Sequence, residues 1–140
     1  MSSFGCVLQS VSLPTALGEP VDVVLGYDTL AEYINGKANY NSIVGRCANR
    51  IPDGRFELDG QVYYLPPNAD AAHLHGGTDG LYSRVFSVDA IRATADECSA
   101  VFTYTSPAGE AGYPGQLDVR FTCRLSESNE LTMELSLIHI

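Results

Sequence analysis

The chain has 140 residues, of which 45% are hydrophobic and 18% are charged, and its formal net charge is −9. This length and composition fit one globular domain with its own hydrophobic core and exclude a disordered chain. The acidic balance and the absence of a Lys/Arg cluster exclude a nucleic-acid-binding protein, because contacts with phosphates need a basic face.

The four cysteines are far apart in the sequence: Cys6, Cys47, Cys98 and Cys123. Zinc knuckles and redox dithiols place two sulfurs a few residues apart, so neither kind of site is predicted. The N-terminal residues MSSFGCVLQSV contain no basic leader, and no stretch approaches the length of a membrane span. Scattered thiols without an export signal predict a cytoplasmic protein with no membrane partner.

Most of the predicted elements are short strands. In chain order, the candidates are residues 6–13, 21–25, 55–58, 61–65, 85–91, 101–104, 117–125 and 131–135. The segment TLAEYIN, residues 29–35, is the one predicted helix, with Asp28 as its N-cap. Gly and Pro separate the strands throughout, which is typical of a β-sandwich or barrel. The sequence therefore predicts an all-β domain without internal repeats.

Two of these strand predictions depend on strong local signals. In residues 117–125 apolar and polar side chains alternate, as they do in a strand with one buried face. Asp59 and Gly60 separate two strand candidates, and Asp-Gly is a preferred pair for a tight hairpin turn because both residues take positive φ there. We therefore expect a hairpin at residues 55–65.

The segment HLHGG, residues 73–77, has three interpretations. His73 and His75 are two apart, so on a strand they share one face, as two ligands of a metal ion do in cupin-like proteins, with Asp79 as a further ligand. A metal site needs another nitrogen ligand, and the only other histidine is His139. The segment also suits a sugar-binding edge, where the glycines allow close backbone approach, or a purely structural histidine pair.

The segment GRCANRIPDGRF, residues 45–56, contains the adjacent polar residues Asn49 and Arg50. Their amide and guanidinium groups suit hydroxyls or a carboxylate, but residue type alone favours a solvated loop arginine, since most arginines are exposed. No Gly-x-Gly-x-x-Gly, Walker or Gly-x-Ser-x-Gly motif is present, so neither a nucleotide cofactor nor a serine hydrolase is predicted. The spacing of the 17 acidic residues selects no pair for glycoside hydrolysis.

Four segments, in this order, resemble the aldose 1-epimerases of the galactose mutarotase type. They are DVVLGYDTLAEY, VGRCANRIPDGRFELDGQVYYLPPN, HLHGG and SPAGEAGYPGQLDVRFTCRL. The resemblance extends from about residue 5 to residue 134. It implies a large antiparallel β-sandwich, of which this chain is an incomplete N-terminal portion. It also implies an enzyme that interconverts the α and β anomers of galactose, glucose and related hexoses without a cofactor.

The resemblance further implies roles for individual residues. Asn49 and Arg50 hold sugar oxygens, and His75 lines the same site near the ring oxygen and its neighbouring hydroxyls. His73 occupies a position that the family fills with several residue types, so it is not essential. In the family, a general acid protonates the ring oxygen while a general base takes the proton of the anomeric hydroxyl. The ring opens, the C1–C2 bond rotates and the ring closes on the other carbonyl face.

The resemblance also bears on the end of the chain. The acid of the family, a later histidine, and its base, a late glutamate, have no counterparts here, which implies a truncated fragment without catalytic residues. The expected boundaries are residues 1–134 for the N-terminal part of one sandwich domain and residues 135–140 for a tail. The tail, LSLIHI, is the peptide that the DNA string CTG TCT CTT ATA CAC ATC would encode. This string resembles a transposon-end sequencing adapter, and we hypothesise that the tail is not native.

Three alternative functions stay open at this point. A non-catalytic carbohydrate-binding β-sandwich module would keep Asn49, Arg50 and His75 without an acid and a base. A cupin-like metal protein would use His73 and His75. A relative acting on hexose 6-phosphates would need additional basic residues for the phosphate, which this acidic chain does not offer.

Overall fold

The computed structural model describes all 140 residues and contains ten strands and one α-helix, every strand pair being antiparallel. The strands are β1 (Ser12–Pro14), β2 (Pro20–Asp22), β3 (Arg50–Ile51), β4 (Arg55–Leu58), β5 (Gln61–Tyr64), β6 (His73–Leu74), β7 (Ser87–Ala93), β8 (Glu97–Ser106), β9 (Leu117–Ser126) and β10 (Leu131–His139). The helix α1 spans Leu30–Asn35 and precedes β3. The expectation of an all-β architecture is confirmed.

The largest sheet has four strands in the order β10-β9-β8-β7. Its central strands β8 and β9 pair over ten residues each, from Glu97 opposite Ser126 to Ser106 opposite Leu117. The alternation predicted for residues 117–125 is present from Leu117 to Phe121, with Val119 and Phe121 buried and Arg120 exposed between them. It is lost farther on, where Thr122 is buried and Leu125 is exposed. Burial of one face of a strand stabilises that register, because a slip by one residue would turn its apolar side chains toward water.

The hydrophobic core lies against this buried face of the sheet. Its members are Cys6, Leu81, Phe86, Phe102, Leu117, Val119, Phe121 and Cys123. Phe102 of β8 and Phe121 of β9 are register partners on neighbouring strands, with ring centroids 6.4 Å apart. The core thus joins the sheet to the N-terminal segment and to the turn after residue 80.

The hairpin predicted at residues 55–65 is formed by β4 and β5. Asp59 and Gly60 both have positive φ, 51° and 77°, as the tight turn requires. Phe56 and Tyr63 are opposite one another across the hairpin, and their rings stack at 5.3 Å. Here the turn residues and the alternation act together, so the local sequence predicts the structure correctly.

The strand predicted at residues 6–13 is wrong over most of its length. Gly5 and Cys6 have positive φ, 59° and 50°, so the chain turns there instead of extending. A Cβ on Gly5 would collide with the backbone carbonyl of Tyr82, and this close approach is what fixes the turn. Regular pairing begins only at Ser12 in β1, and its partner β2 is likewise shorter than predicted.

The helix is confirmed, but its predicted cap is wrong. Thr29, not Asp28, is the N-cap: the Thr29 hydroxyl accepts from the backbone N–H of Glu32, and the Glu32 carboxylate accepts from that of Thr29. Because Glu32 is the third residue after Thr29, this reciprocal capping box is available to Thr29 and not to Asp28. No helix of the chain has the length and apolar character needed to cross a membrane.

Strand β10 forms one edge of the four-stranded sheet and pairs only with β9, from Leu131 opposite Leu125 to His139 opposite Leu117. Residues 135–139 therefore continue the strand. Every residue of β10 is exposed, including its apolar ones. The strand places an apolar row in solvent next to the buried row of β9.

Candidate functional site

The structure brings Asn49 and His75 together at one end of the short β3–β6 ladder. Strand β3 pairs Arg50 with Leu74, and the next backbone bond runs from the N–H of His75 to the carbonyl oxygen of Asn49 at 2.9 Å. The N–H of Asn49 in turn donates to Nδ1 of the His75 ring at 3.1 Å. Residues 26 apart in sequence are thus joined by two reciprocal hydrogen bonds.

Arg50 is adjacent to this pair, as the first residue of β3. Its side chain is exposed, and it takes part in none of the ion pairs or side-chain hydrogen bonds of the chain. A guanidinium offers donors in a fixed fork that matches paired oxygens. Arg50 and the Asn49–His75 pair therefore lie next to one another at this end of the β3–β6 ladder.

The backbone around His75 is shaped by positive φ angles. His75 itself has φ 54°, and Gly76 and Gly77 follow at 87° and 86°. A Cβ on Gly76 would overlap the carbonyl oxygen of Gly45, so only glycine allows these two loops to lie so close. Asn49 also has positive φ, 62°. The HLHGG segment therefore leaves its strand at His75 and lies against the segment that carries Asn49.

His73 lies in the core and not at the surface edge. It is 1% exposed, its Nδ1 lies 2.7 Å from the carbonyl oxygen of Pro66, and its ring meets Tyr113 edge-on at 5.3 Å. Its Nε2 is buried without a hydrogen-bond partner. Because His73 and His75 have different neighbours, they do not form the shared face that a metal clamp requires. No three His, Cys, Asp or Glu residues gather in a metal-binding arrangement.

Arg46 is the residue of this region that sequence reasoning missed. It lies three positions before Asn49 and turns inward, where its guanidinium reaches the loop between β8 and β9. It donates to the carbonyl oxygens of Ser106, Pro107, Pro114 and Gly115 at 2.8–3.1 Å. Its central carbon also lies 5.7 Å from the centre of the Tyr113 ring. These partners are 60–69 residues away in sequence, so no local pattern marks them.

Burial perturbs the titration of the groups around Arg46. It lowers the pKa of Arg46, and the nearby Glu110 carboxylate opposes this shift. It raises the pKa of Tyr104 to about 12, to which the hydrogen bond from Tyr104 to Glu110 adds. It also raises the pKa of Tyr113. Because their pKa values are raised, Tyr104 and Tyr113 are neutral at neutral pH.

Two sizeable recesses of the surface lie elsewhere. One, of about 610 Å³, lies on the polar face of the four-stranded sheet, and the other, of about 530 Å³, on its apolar face. Neither is lined by Asn49, Arg50 or His75. The candidate site is therefore an open edge of hydrogen-bonding groups, which suits a polar ligand with several hydroxyls better than an enclosed apolar one.

Comparison with known proteins gives one consistent result. The family model for aldose 1-epimerase matches residues 1–139. Galactose mutarotase of Rattus norvegicus is 38% identical over 123 residues, which are 88% of this chain and 34% of that protein. Aldose 1-epimerase of Escherichia coli K12 is 27% identical over 133 residues, 95% of this chain and 37% of that protein. The chain thus spans about a third of the length of the curated relatives it matches.

The solved structures agree with the sequence comparisons. A GalM/aldose epimerase homologue from C. elegans superposes with a TM-score of 0.88 at 31% identity, covering 99% of this chain and 41% of the other. Galactose 1-epimerase from Lactobacillus acidophilus NCFM gives 0.84 at 24% identity and supports the fold alone. The expected fold, an incomplete β-sandwich of the galactose mutarotase type, is confirmed.

Proposed function

The chain belongs to the aldose 1-epimerase family, and we propose that it forms the hexose-binding N-terminal part of a mutarotase. The substrates are the α and β anomers of galactose- and glucose-type sugars. The observation that carries the proposal is the joining of Asn49 to His75 beside the free guanidinium of Arg50. These are the residues that the sequence resemblance assigns to sugar oxygens.

Each of the three side chains has a distinct role in this proposal. Because Nδ1 of His75 accepts the N–H of Asn49, the neutral ring carries its proton on Nε2 and donates it to the ring oxygen or a neighbouring hydroxyl. The Arg50 fork donates to two adjacent sugar oxygens. The Asn49 amide both donates and accepts, which matches a hydroxyl group. Together they fix the orientation of the hexose.

We further propose that the acid and the base of the reaction are supplied by sequence beyond residue 134 of the parent protein. Mutarotation needs a proton delivered to the ring oxygen and another removed from the anomeric hydroxyl, from opposite sides of the sugar. No carboxylate is hydrogen-bonded to Asn49, Arg50 or His75. The part described here then binds and orients, and the chain alone is inactive. No cofactor is required.

The first test is a titration of the chain with galactose and with glucose, in which binding is monitored by changes in the amide chemical shifts. Arg50→Ala and His75→Ala are expected to weaken binding about tenfold each, as loss of a hydrogen bond to a polar ligand group does. Arg92→Ala, at an exposed arginine of β7 on the large sheet, is the matched control and leaves affinity unchanged. Equal affinities of all three variants would contradict the proposed site.

The second test concerns the parent protein. We propose that residues 1–134 belong to its native frame and that residues 135–140 do not. Reading the source DNA onward from the codon of Glu134 decides this. A frame that continues to a further histidine and a late glutamate supports an epimerase, which polarimetry of galactose mutarotation then tests. A stop codon directly after LSLIHI would instead favour a non-catalytic carbohydrate-binding module.

With four unpaired thiols, the proposed location is the cytoplasm.

A further inference from the structure

The guanidinium of Arg46 cross-links two segments that are remote in sequence. Its Nη1 and Nη2 together donate to four backbone carbonyl oxygens, that of Ser106 at the end of β8 and three in the loop between β8 and β9. Its Nε and Nη2 also donate to the Ser106 hydroxyl at 3.1 and 3.0 Å. All of its donor directions are used inside the protein, so Arg46 has none left for a ligand.

The Ser106 hydroxyl connects Arg46 to Glu110 by hydrogen bonds. Ser106 is 1% exposed, and its Oγ accepts from Arg46 and donates to the Glu110 carboxylate. The other carboxylate oxygen of Glu110 accepts from the Tyr104 hydroxyl at 2.6 Å. The Glu110 carboxylate thus lies close to the Arg46 guanidinium, separated from it by the Ser106 hydroxyl. The opposite charges compensate each other in a region of low solvent access, which stabilises both groups.

The network continues to the loop that follows His75. Nε of Arg84 lies 3.1 Å from Glu110, as an ion pair without hydrogen-bond geometry, and its Nη2 lies 3.8 Å from Asp79. Asp79 is four residues after His75. The backbone N–H of Leu81 also donates to the carbonyl oxygen of Gly45, directly before Arg46. The network therefore holds both the segment before Asn49 and the segment after His75.

We propose that Arg46, Ser106 and Glu110 are positioning residues of the hexose site. They fix the backbone on both sides of the Asn49–His75 pair and act on the sugar only through those two residues. Asn49 is exposed and His75 is half-buried, and the two are joined by the two reciprocal hydrogen bonds. The buried network supplies the rigid support that such a pair needs to keep one geometry. This proposal rests on the proposed function.

Arg46→Lys is the main test variant, because lysine keeps the charge but cannot donate in the directions of the guanidinium fork. Arg120→Lys is the matched control: Arg120 also pairs with a carboxylate, Asp89 at 2.8 Å, but on the exposed face of the large sheet. Ser106→Ala removes only the hydroxyl between Arg46 and Glu110 and serves as a milder second variant if Arg46→Lys fails to fold.

Two measurements are made on each variant, well below its melting temperature. The first is the ¹⁵N chemical shift of His75 Nδ1, which reports whether this nitrogen still accepts the N–H of Asn49. The second is galactose affinity. We expect the Nδ1 signal of Arg46→Lys and Ser106→Ala to move toward the average of two exchanging tautomers, and the dissociation constant to rise about tenfold. Arg120→Lys changes neither.

A merely structural role would lower the melting temperature of Arg46→Lys and Ser106→Ala but leave the Nδ1 signal and the affinity of the folded protein at wild-type values. That result would overturn the proposal. If the unmodified chain binds no hexose, the proposed function fails, and the Nδ1 signal alone decides the positioning role. Its loss in Arg46→Lys with retention in Arg120→Lys supports that role, and its retention in both refutes it.

Discussion

Asn49 and His75 exchange hydrogen bonds in both directions: the N–H of Asn49 donates to Nδ1 of His75 at 3.1 Å, and the N–H of His75 donates to the Asn49 carbonyl oxygen at 2.9 Å. His73, two residues earlier, has the opposite arrangement, since its Nδ1 faces the carbonyl oxygen of Pro66 at 2.7 Å. A carbonyl can only accept, so Nδ1 carries the proton in His73 and Nε2 carries it in neutral His75.

The first prediction is that these two histidines are opposite neutral tautomers. In ¹⁵N-labelled protein at alkaline pH, Nδ1 of His75 is expected to have the shift of an unprotonated nitrogen, and Nδ1 of His73 that of a protonated one. His139, on the exposed edge strand β10, serves as the reference for a ring that exchanges between both forms. Identical nitrogen shifts for His73 and His75 would contradict the hydrogen-bond geometry.

The second prediction separates the two histidines by function. His73→Ala removes a fully buried ring and its bond to Pro66, and is expected to lower the free energy of unfolding by about 3 kcal/mol, as large-to-small core substitutions do. Its folded form keeps wild-type hexose affinity. His75→Ala is expected to cost about 1 kcal/mol or less and to weaken hexose binding. Urea unfolding and hexose titration of both variants check this, and the reverse pattern would refute it.

Local sequence was sufficient wherever the structure is decided by neighbouring residues. Asp59 and Gly60 determine the β4–β5 hairpin by their own φ angles, and the alternation at residues 117–121 determines which face of β9 is buried. The local sequence predicts a strand from Cys6 onward because the residues there are apolar, and this prediction is wrong. The backbone turns at Cys6, where Gly5 lies against the backbone carbonyl of Tyr82. That turn depends on a contact with a residue more than 70 positions away, which no local pattern can show.

The residues of the candidate site also fall into those that the sequence predicts and those that it does not. Asn49, Arg50 and His75 were assigned from a resemblance of motifs, and the structure places them at one edge. Whether they bind a sugar stays a prediction. The sequence does not single out Arg46, because an arginine in a loop is by type usually a solvated residue. Its buried role follows from carbonyl groups of the β8–β9 loop, whose position is known only once the sheet has formed.

The third prediction concerns the contact between Gly76 and Gly45. Gly76→Ala places a Cβ against the carbonyl oxygen of Gly45, and Gly76 has φ 87°. Gly18 has the same backbone angle, φ 88°, but nothing lies within 4 Å of its added Cβ. Gly18→Ala is therefore expected to cost about 1 kcal/mol from conformation alone, and Gly76→Ala about 4 kcal/mol or more. Thermal or urea unfolding measures both losses of stability. Equal losses for Gly18→Ala and Gly76→Ala would contradict the prediction, because they would mean that the backbone shifts to avoid the collision.

The fourth prediction is a loss of stability at alkaline pH. Burial raises the pKa of the Cys6 thiol from 9.0 to about 12, so the folded state holds this proton more tightly than the unfolded state. The resulting stabilisation is fully present below pH 9.0 and is lost as the pH rises toward about 12. In Cys6→Ala the urea midpoint should fall less steeply across this range than in the wild type or in Cys47→Ala, at an exposed thiol. If the urea midpoints of Cys6→Ala and the wild type fall equally steeply with pH, this prediction is wrong.

The fifth prediction concerns the apolar row of β10. Met133, Leu135 and Leu137 are 45–55% exposed, although their register partners in β9 are buried, and the outer edge of β10 has no strand beside it. An unpaired strand edge and an exposed apolar row can each promote association between chains. Met133→Lys is expected to reduce concentration-dependent association in light scattering while changing stability by less than about 1 kcal/mol. Thr132→Lys adds the same charge on the opposite face of the strand. If the two variants reduce association equally, pairing of strand edges drives it; if only Met133→Lys acts, as we expect, the apolar face does.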